Sequence, residues 1–158
     1  MQTITPFLWF DSEAEEAANF YVSVFKNSKV KQVTHYTGEE FSEKKGQVMT
    51  VSFELNGQEF IALNGGPQFK FTEAISLMIH CDTQDEIDYY WDKLTADGGE
   101  EVQCGWVADK YGLSWQIVPA NFFAEWAKDP AGLERVMHQV IQMKKLDLAK
   151  LQKAFAGK

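Results

Sequence analysis

The chain has 158 residues, enough for one domain or for two small fused halves with a buried core. Its composition, with 45% apolar and 24% charged residues, is typical of a globular protein, while aromatic residues are frequent at 14%. That excess indicates a heavy core, an aromatic-lined cavity or an interface. The net charge of −8 opposes binding to nucleic acid and to anionic membrane surfaces, so we expect neither as a partner.

The sequence carries no targeting signal that we recognise. Its N-terminus, "MQTITPFLWFD", has neither a basic segment nor a long apolar run, and no stretch approaches the ~20 apolar residues of a membrane span. The two cysteines, Cys81 and Cys104, form no metal-ligand motif. We therefore expect a cytoplasmic protein with two reduced thiols.

The first half of the chain predicts a β-α-β-β-β unit over residues 1–66. The apolar run "TITPFLWF" favours a strand, and the helical spacing that follows begins at a capping box of Ser12 and Glu15. The stretch "KVKQVTHYT" favours a second strand. The dipeptide Asn56-Gly57 then joins "QVMTVSFEL" to "QEFIALN" as a tight hairpin.

The second half, residues 74–119, repeats this order. "AISLMIHC" predicts a strand, "DTQDEIDYYWDKL" predicts a helix with its own capping box at Thr83 and Glu86, and two later segments supply the remaining strands. Two copies of one unit are the simplest interpretation, with a chance match of the cap spacing as the alternative. Because neither half looks able to bury its sheet alone, we expect a single domain over 1–158.

Residues 120–158 predict a helical extension. A short helix ends before Pro130, and a terminal helix begins at an Asp147 cap. Between them an apolar stripe at helical spacing predicts packing on the sheet or on a partner subunit; it comprises Leu133, Val136, Met137, Val140, Ile141 and Met143.

Several long segments resemble one family. "ITPFLWFD", "AEEAANFYVSVF", "ALNGGPQFKFTEAIS" and "CGWVADKYGLSWQIVP" are similar to the PhnB-like branch of the vicinal oxygen chelate superfamily, whose members are often labelled 3-demethylubiquinone-9 3-methyltransferase domain proteins. The superfamily includes glyoxalase I, extradiol dioxygenases, and fosfomycin- and bleomycin-resistance proteins. The resemblance implies an α+β fold of tandem βαβββ units forming a half-barrel, and commonly a homodimer.

The methyltransferase label does not suit the sequence. Classical methyltransferases hold S-adenosylmethionine on a glycine-rich loop between a first strand and helix. Here that junction reads "FDSEAEEA" and contains no glycine. We therefore do not expect methyl transfer.

In the superfamily, metal ligands occupy inward positions on four strands that line a cavity between the two units. Strand alternation places Thr5, Asn64, Ser76 and Gln116 there, and none of them offers an imidazole or a carboxylate. We expect neither a metal nor another cofactor. The predicted lining of the cavity is Thr5, Phe7, Trp9, Phe60, Asn64, Ser76, Met78, Trp106, Ser114 and Gln116.

Two side chains are candidates for catalysis. His80 ends an inward line and could act as a general base, and Cys104 could act as a nucleophile if a base lay beside it. Each also suits a purely structural role. Asp109 could enter the cavity, although its sequence context favours a turn.

These observations favour a small-molecule-binding protein that holds an aromatic or amphipathic ligand without metal. In one alternative the polar groups only satisfy one another within a closed barrel. A second is a metal-dependent glyoxalase- or dioxygenase-type enzyme using other ligands, such as His80 with Glu59 or Asp109. A third is a scaffold whose C-terminal helices bind another protein.

Overall fold

A computed structural model describes residues 2–158 as an α+β protein with two four-stranded sheets. Backbone contacts divide the chain into two compact units, the first ending at Phe71 and the second spanning Thr72–Lys158. Each sheet contains one parallel and two antiparallel strand pairs. The predicted repeat is therefore present as two units of the same topology, while the single-domain assignment over 1–158 stays a prediction.

The first unit follows the predicted β-α-β-β-β order, and its strands lie side by side in the order β1-β4-β3-β2. Strand β1 pairs in parallel with β4. The elements are β1 (Phe7–Phe10), α1 (Ala14–Val24), β2 (Lys29–His35), β3 (Val48–Leu55) and β4 (Gln58–Asn64).

The predicted hairpin connects β3 and β4. Asn56 and Gly57 both have positive φ, at 49° and 85°, as a two-residue turn of this type requires. Helix α1 packs on one face of the sheet, where Tyr21 stacks on Phe53 and Phe53 stacks on Phe60. Part of the aromatic excess therefore forms the core of this unit.

Strand β1 is shorter than predicted, because it begins at Phe7 rather than Thr3. Pro6 precedes it and has no N–H to donate to the sheet, although its carbonyl accepts a hydrogen bond from Ile61 N at 3.0 Å. Thr5 consequently lies outside the strand.

The predicted capping box of α1 is wrong. Ser12 makes no side-chain bond to the helix, and its own N–H donates to the Glu13 carboxylate. The Oδ1 atom of Asn64 instead accepts a hydrogen bond from Ala14 N at 2.8 Å, so the cap comes from the end of β4. The Asn64 amide also donates to the Val48 carbonyl at 3.1 Å, which ties together the helix and two strands.

The second unit repeats the order, with strands arranged β5-β8-β7-β6 and a parallel β5–β8 pair. Helix α2 packs against β5, β7 and β8. The elements are β5 (Ser76–Cys81), α2 (Gln84–Thr95), β6 (Glu100–Glu101), β7 (Trp106–Ala108) and β8 (Ser114–Pro119), followed by α3 (Asn121–Ala124), α4 (Pro130–Val140) and α5 (Leu148–Phe155).

Both predicted caps in this unit form. The Thr83 hydroxyl accepts from Glu86 N at 3.2 Å, and the Glu86 carboxylate accepts from Asp82 N at 2.7 Å. The Asp147 carboxylate accepts from Lys150 N at 3.1 Å at the start of α5.

The C-terminal segment belongs to the second unit. Gln84 on α2 donates to the Leu146 carbonyl at 3.1 Å and accepts from Leu148 N at 2.7 Å, so one amide holds the start of α5. The predicted stripe on α4 is only partly covered, since Val136 is buried while Ile141 is 59% exposed.

Within residues 2–158, no helix combines the length and apolar character that crossing a bilayer requires.

We predict that Asn64→Ala lowers the free energy of unfolding by about 1–3 kcal/mol, because it removes the α1 cap and the bond to Val48. Urea unfolding followed by circular dichroism measures this change. Ser12→Ala is the matched control and should cost less than about 0.5 kcal/mol. Equal losses from the two variants would contradict the cap assignment.

Candidate functional site

The second sheet has one face covered by α2 and one open face. In parallel and antiparallel pairs alike, residues in register point to the same face. Buried Trp115 and Ile117 lie on the helix side with Leu77 and Ile79. The open face therefore carries Ser76, Met78, His80, Glu100, Trp106, Ala108, Ser114, Gln116 and Val118.

A polar pair on this face joins the edge strand β5 to its neighbour β8. Gln116 Nε2 lies 2.9 Å from Ser76 Oγ and donates a hydrogen bond to it. Both side chains are half-buried, and the pair joins the neighbouring strands β5 and β8. The prediction that these two positions share one face is confirmed. Ser114 lies on the same face and is buried.

Apolar side chains lie on both sides of Gln116. Trp106 is in register with Gln116 on β7, and Met78 is in register with it on β5. Both are half-buried rather than enclosed. We call Ser76, Met78, Trp106 and Gln116 the polar–aromatic patch. It offers a ring and a thioether beside hydrogen-bonding groups, as small-molecule sites commonly do.

The first sheet has a more apolar open face. Phe7 is in register with Ile61 and Trp9 with Leu63, and Phe7 is 55% exposed. Ile61 and Leu63 are residues that sequence reasoning missed.

Trp9 is already held by its own unit. Its indole N–H donates to the Gly66 carbonyl at 2.9 Å, and Phe69 meets its ring edge-on with centroids 4.9 Å apart. A Cβ on Gly65 would lie 2.4 Å from the indole ring, so this close approach requires glycine. These contacts fix the Trp9 ring.

Two predicted lining residues face the other way. The register pairs Phe60 with Phe53 and Asn64 with Phe10, which places both on the face that α1 covers. The prediction that they share a face with Phe7 and Trp9 is therefore wrong. The physical reason is that β4 is apolar on both faces, so its own alternation does not identify the covered side.

The four positions at which superfamily members carry metal ligands have different surroundings in this chain. Ser76 and Gln116 meet, whereas Asn64 caps α1 and Thr5 precedes its strand. Among the described residues, no three His, Cys, Asp or Glu side chains are grouped so that they could hold a metal ion. A hydroxyl and an amide without a charged donor do not fit a divalent cation.

Two of the alternative metal ligands, Asp109 and Glu59, interact with other residues of the chain. The Asp109 carboxylate accepts from Tyr111 N, Leu113 N and Trp115 Nε1 at 2.8–3.1 Å, and Asp109 is buried. It organises the turn before β8, as the sequence context favours. In the first unit, Glu59 Oε2 lies 4.0 Å from Lys31 Nζ.

The two catalytic candidates differ in setting. His80 is exposed at the end of β5, with its ring 6.2 Å from that of Phe123. Cys104 is half-buried, with a left-handed φ of 64° and its N–H bonded to the Met143 carbonyl at 2.8 Å. Their catalytic roles stay predictions.

The other thiol is inert. Burial raises the pKa of Cys81 to about 12, with smaller contributions from the carboxylates of Glu86 and Asp82. At neutral pH Cys81 is therefore a protonated core residue.

Comparison with known proteins identifies the family. The family model for 3-demethylubiquinone-9 3-methyltransferase matches residues 2–118. The PhnB protein of Bacillus cereus is 40% identical, with a TM-score of 0.67 over 75% of this chain and 100% of that protein. This chain belongs to the 3-demethylubiquinone-9 3-methyltransferase family. It is a member of the vicinal oxygen chelate superfamily, as the sequence resemblance predicts.

More distant structures share the fold of this family member. Protein PA1353 of Pseudomonas aeruginosa is 17% identical, with a TM-score of 0.63 over 74% of this chain and 96% of that protein. The fosfomycin resistance protein FosX of Listeria monocytogenes is 16% identical, with a TM-score of 0.51 over 75% of this chain and 90% of that protein. No curated protein matches the sequence.

We predict that iodoacetamide at pH 8 alkylates Cys104 and leaves Cys81 unmodified in the folded protein. Burial keeps the Cys81 thiol protonated and out of contact with reagent, whereas Cys104 is partly exposed. Peptide mass spectrometry measures both sites, and labelling in urea provides the control in which both react. Equal labelling of Cys81 in the folded state would contradict its assignment to the core.

Proposed function

We propose that this protein binds an aromatic or amphipathic small molecule on the polar–aromatic patch of its second unit, without a metal ion. The supporting observation is the hydrogen bond between the half-buried side chains of Gln116 and Ser76, with Trp106 and Met78 in register with Gln116 on either side. A flat ligand gains contact area from the indole and the thioether and orientation from the amide and hydroxyl.

The donor chemistry supports a metal-free site. Gln116 and Ser76 present neutral oxygen and nitrogen atoms, and a hydrogen bond joins the two side chains. Divalent ions in protein sites generally have at least one imidazole, thiolate or carboxylate ligand, because such ligands offset the loss of hydration. A metal-dependent enzyme of glyoxalase or dioxygenase type would need ligands other than these.

We do not extend the family description to methyl transfer. Two junctions lead from the first strand of a unit into its helix, and they read "FDSEAEEA" and "HCDTQDE". Neither contains the glycines with which a nucleotide-like cofactor is held at a strand–helix turn. The function supported best is therefore ligand binding, with turnover left open.

We extend the proposal to a homodimer. The resemblance implies this assembly, and several large apolar side chains are solvent-exposed in the single chain, as expected of a surface that a partner covers. They include Ile4, Phe69, Ile75 and Ile141.

We predict that 2-naphthol, whose hydroxyl can both donate and accept a hydrogen bond, raises the melting temperature in a concentration-dependent manner. Ligand at one hundred times its Kd stabilises the folded state by about 2.7 kcal/mol. Trp106→Ala should raise the Kd about tenfold, because it removes one ring contact and a tenfold change in Kd corresponds to ~1.4 kcal/mol of binding free energy. Tyr89→Ala, on the outer side of α2 and also partly exposed, is the matched control and should leave the Kd unchanged. Equal effects of the two variants would place the ligand elsewhere.

We predict that protein purified without a histidine tag contains less than about 0.1 metal ion per chain, because the polar–aromatic patch lacks charged donors. Inductively coupled plasma mass spectrometry measures this ratio. Zinc and manganese should also leave the melting temperature unchanged. Stoichiometric zinc, iron, manganese or nickel would favour the metal-dependent alternative.

A further inference from the structure

Resting on the proposed function, we propose that the polar–aromatic patch selects an uncharged ligand group that carries a hydrogen-bond donor and an acceptor side by side. Primary amides, hydroxy-ketones and neutral phenols with an adjacent carbonyl belong to this class. Carboxylates, phosphonates and amidinium groups do not.

The first step is the hydrogen-bonding capacity of the pair. A glutamine amide has one acceptor oxygen and two N–H donors, and a serine hydroxyl has one donor and two lone pairs. The bond from Gln116 Nε2 to Ser76 Oγ leaves the amide oxygen able to accept, and it leaves both the hydroxyl and the second N–H of Nε2 able to donate. Within residues 2–158, neither the Gln116 side chain nor the Ser76 side chain forms a second hydrogen bond to a side chain.

This capacity does not depend on the orientation of the amide. If the amide is rotated by 180°, the hydroxyl donates to Gln116 Oε1, and the Nε2 atom then donates outward while a lone pair of Ser76 accepts. Either arrangement presents at least one donor and at least one acceptor. The pair is therefore satisfied only by a ligand group that supplies both an acceptor and a donor, in either order.

The second step is charge. The strand residues of this open face include no lysine or arginine, and their ionisable members are Glu100 and His80, which are both exposed. A bound carboxylate or phosphonate would lose hydration without gaining a cation, and it would offer no donor to the Gln116 amide oxygen. A bound amidinium would offer no acceptor to the free N–H and hydroxyl groups of the pair.

The third step is geometry. Gln116 lies between Trp106 and Met78 in the register, and neighbouring strands are about 4.8 Å apart. A polar group attached directly to a ring can therefore reach Gln116 while the ring contacts either neighbour.

Three probes of nearly equal shape test this inference: 2-naphthamide, 2-naphthoate and 2-naphthamidine. They present a donor with an acceptor, acceptors only, and donors only. Titrations at pH 8 would be followed by proton–nitrogen correlation spectra, with the Gln116 side-chain amide and the Trp106 indole as local reporters. We expect 2-naphthamide to shift both signals and to bind at least tenfold more tightly than either charged probe.

The outcomes are distinguishable. Equal or tighter binding of 2-naphthoate or 2-naphthamidine at these reporters would overturn the selectivity while leaving ligand binding at the patch intact. Shifts confined to other parts of the protein, or no shifts at all, would overturn both proposals. Tighter binding of 2-naphthamide than of 2-naphthamidine is the more stringent result, because the net charge of −8 favours any cation nonspecifically.

A variant that introduces a charge tests whether the Gln116–Ser76 pair determines the ligand preference. Gln116→Glu replaces the amide with a group that only accepts, so the preference should move from 2-naphthamide to 2-naphthamidine by at least tenfold. Gln58→Glu makes the same charge change on an exposed residue of the first unit and should leave the preference unaltered. An unaltered preference in Gln116→Glu, with its fold confirmed by the spectrum, would overturn the role of the pair.

Discussion

The pleat of each sheet is the constraint on which the rest of this structure depends. Successive side chains alternate between the face on which a helix packs and the opposite face, so the register decides which strand residues can belong to the candidate site. In the second unit this alternation places Trp115 and Ile117 on the helix side of the sheet and Gln116 on the opposite face. In the first unit it sets Asn64 on the helix side, where its amide caps α1. A displacement of one residue would exchange these roles.

Sequence reasoning predicted the repeat, the hairpin and the caps of α2 and α5, because each rests on a short-range pattern with one physical solution. It assigned β8 correctly, since Gln116 and Ser114 mark the open face among apolar neighbours. It failed for β4, where Phe60 and Ile61 are equally apolar. The missing signal lay in β3: Val51, Phe53 and Leu55 alternate with polar residues, and projection through the two-residue turn places Phe60 on their face.

The first-unit cap shows why local rules are insufficient. "DSEAEEA" contains a good capping motif, yet the N–H of Ala14 is satisfied by Asn64, fifty residues away. The side chain that arrives from β4 also bonds to Val48, so one amide satisfies two backbone groups. A serine hydroxyl at position 12 could satisfy only the helix. Tertiary contacts therefore replace the local cap, and no motif within the helix sequence indicates the replacement.

The family description names methyl transfer, but the fold of residues 2–158 lacks the features on which classical methyltransferases bind their cofactor. Methyl transfer from a nucleotide-like cofactor is commonly built on a doubly wound parallel sheet, with glycines where the first strand enters its helix. Each unit here has a mixed sheet with a single parallel pair, and acidic residues follow both junctions. What the chain does offer is a neutral amide–hydroxyl pair beside an indole, which favours recognition of uncharged rings over the binding of phosphate or metal. Membership of a family thus fixes the scaffold of this protein, while the ligand class that we propose for it is argued from the side chains on its open face.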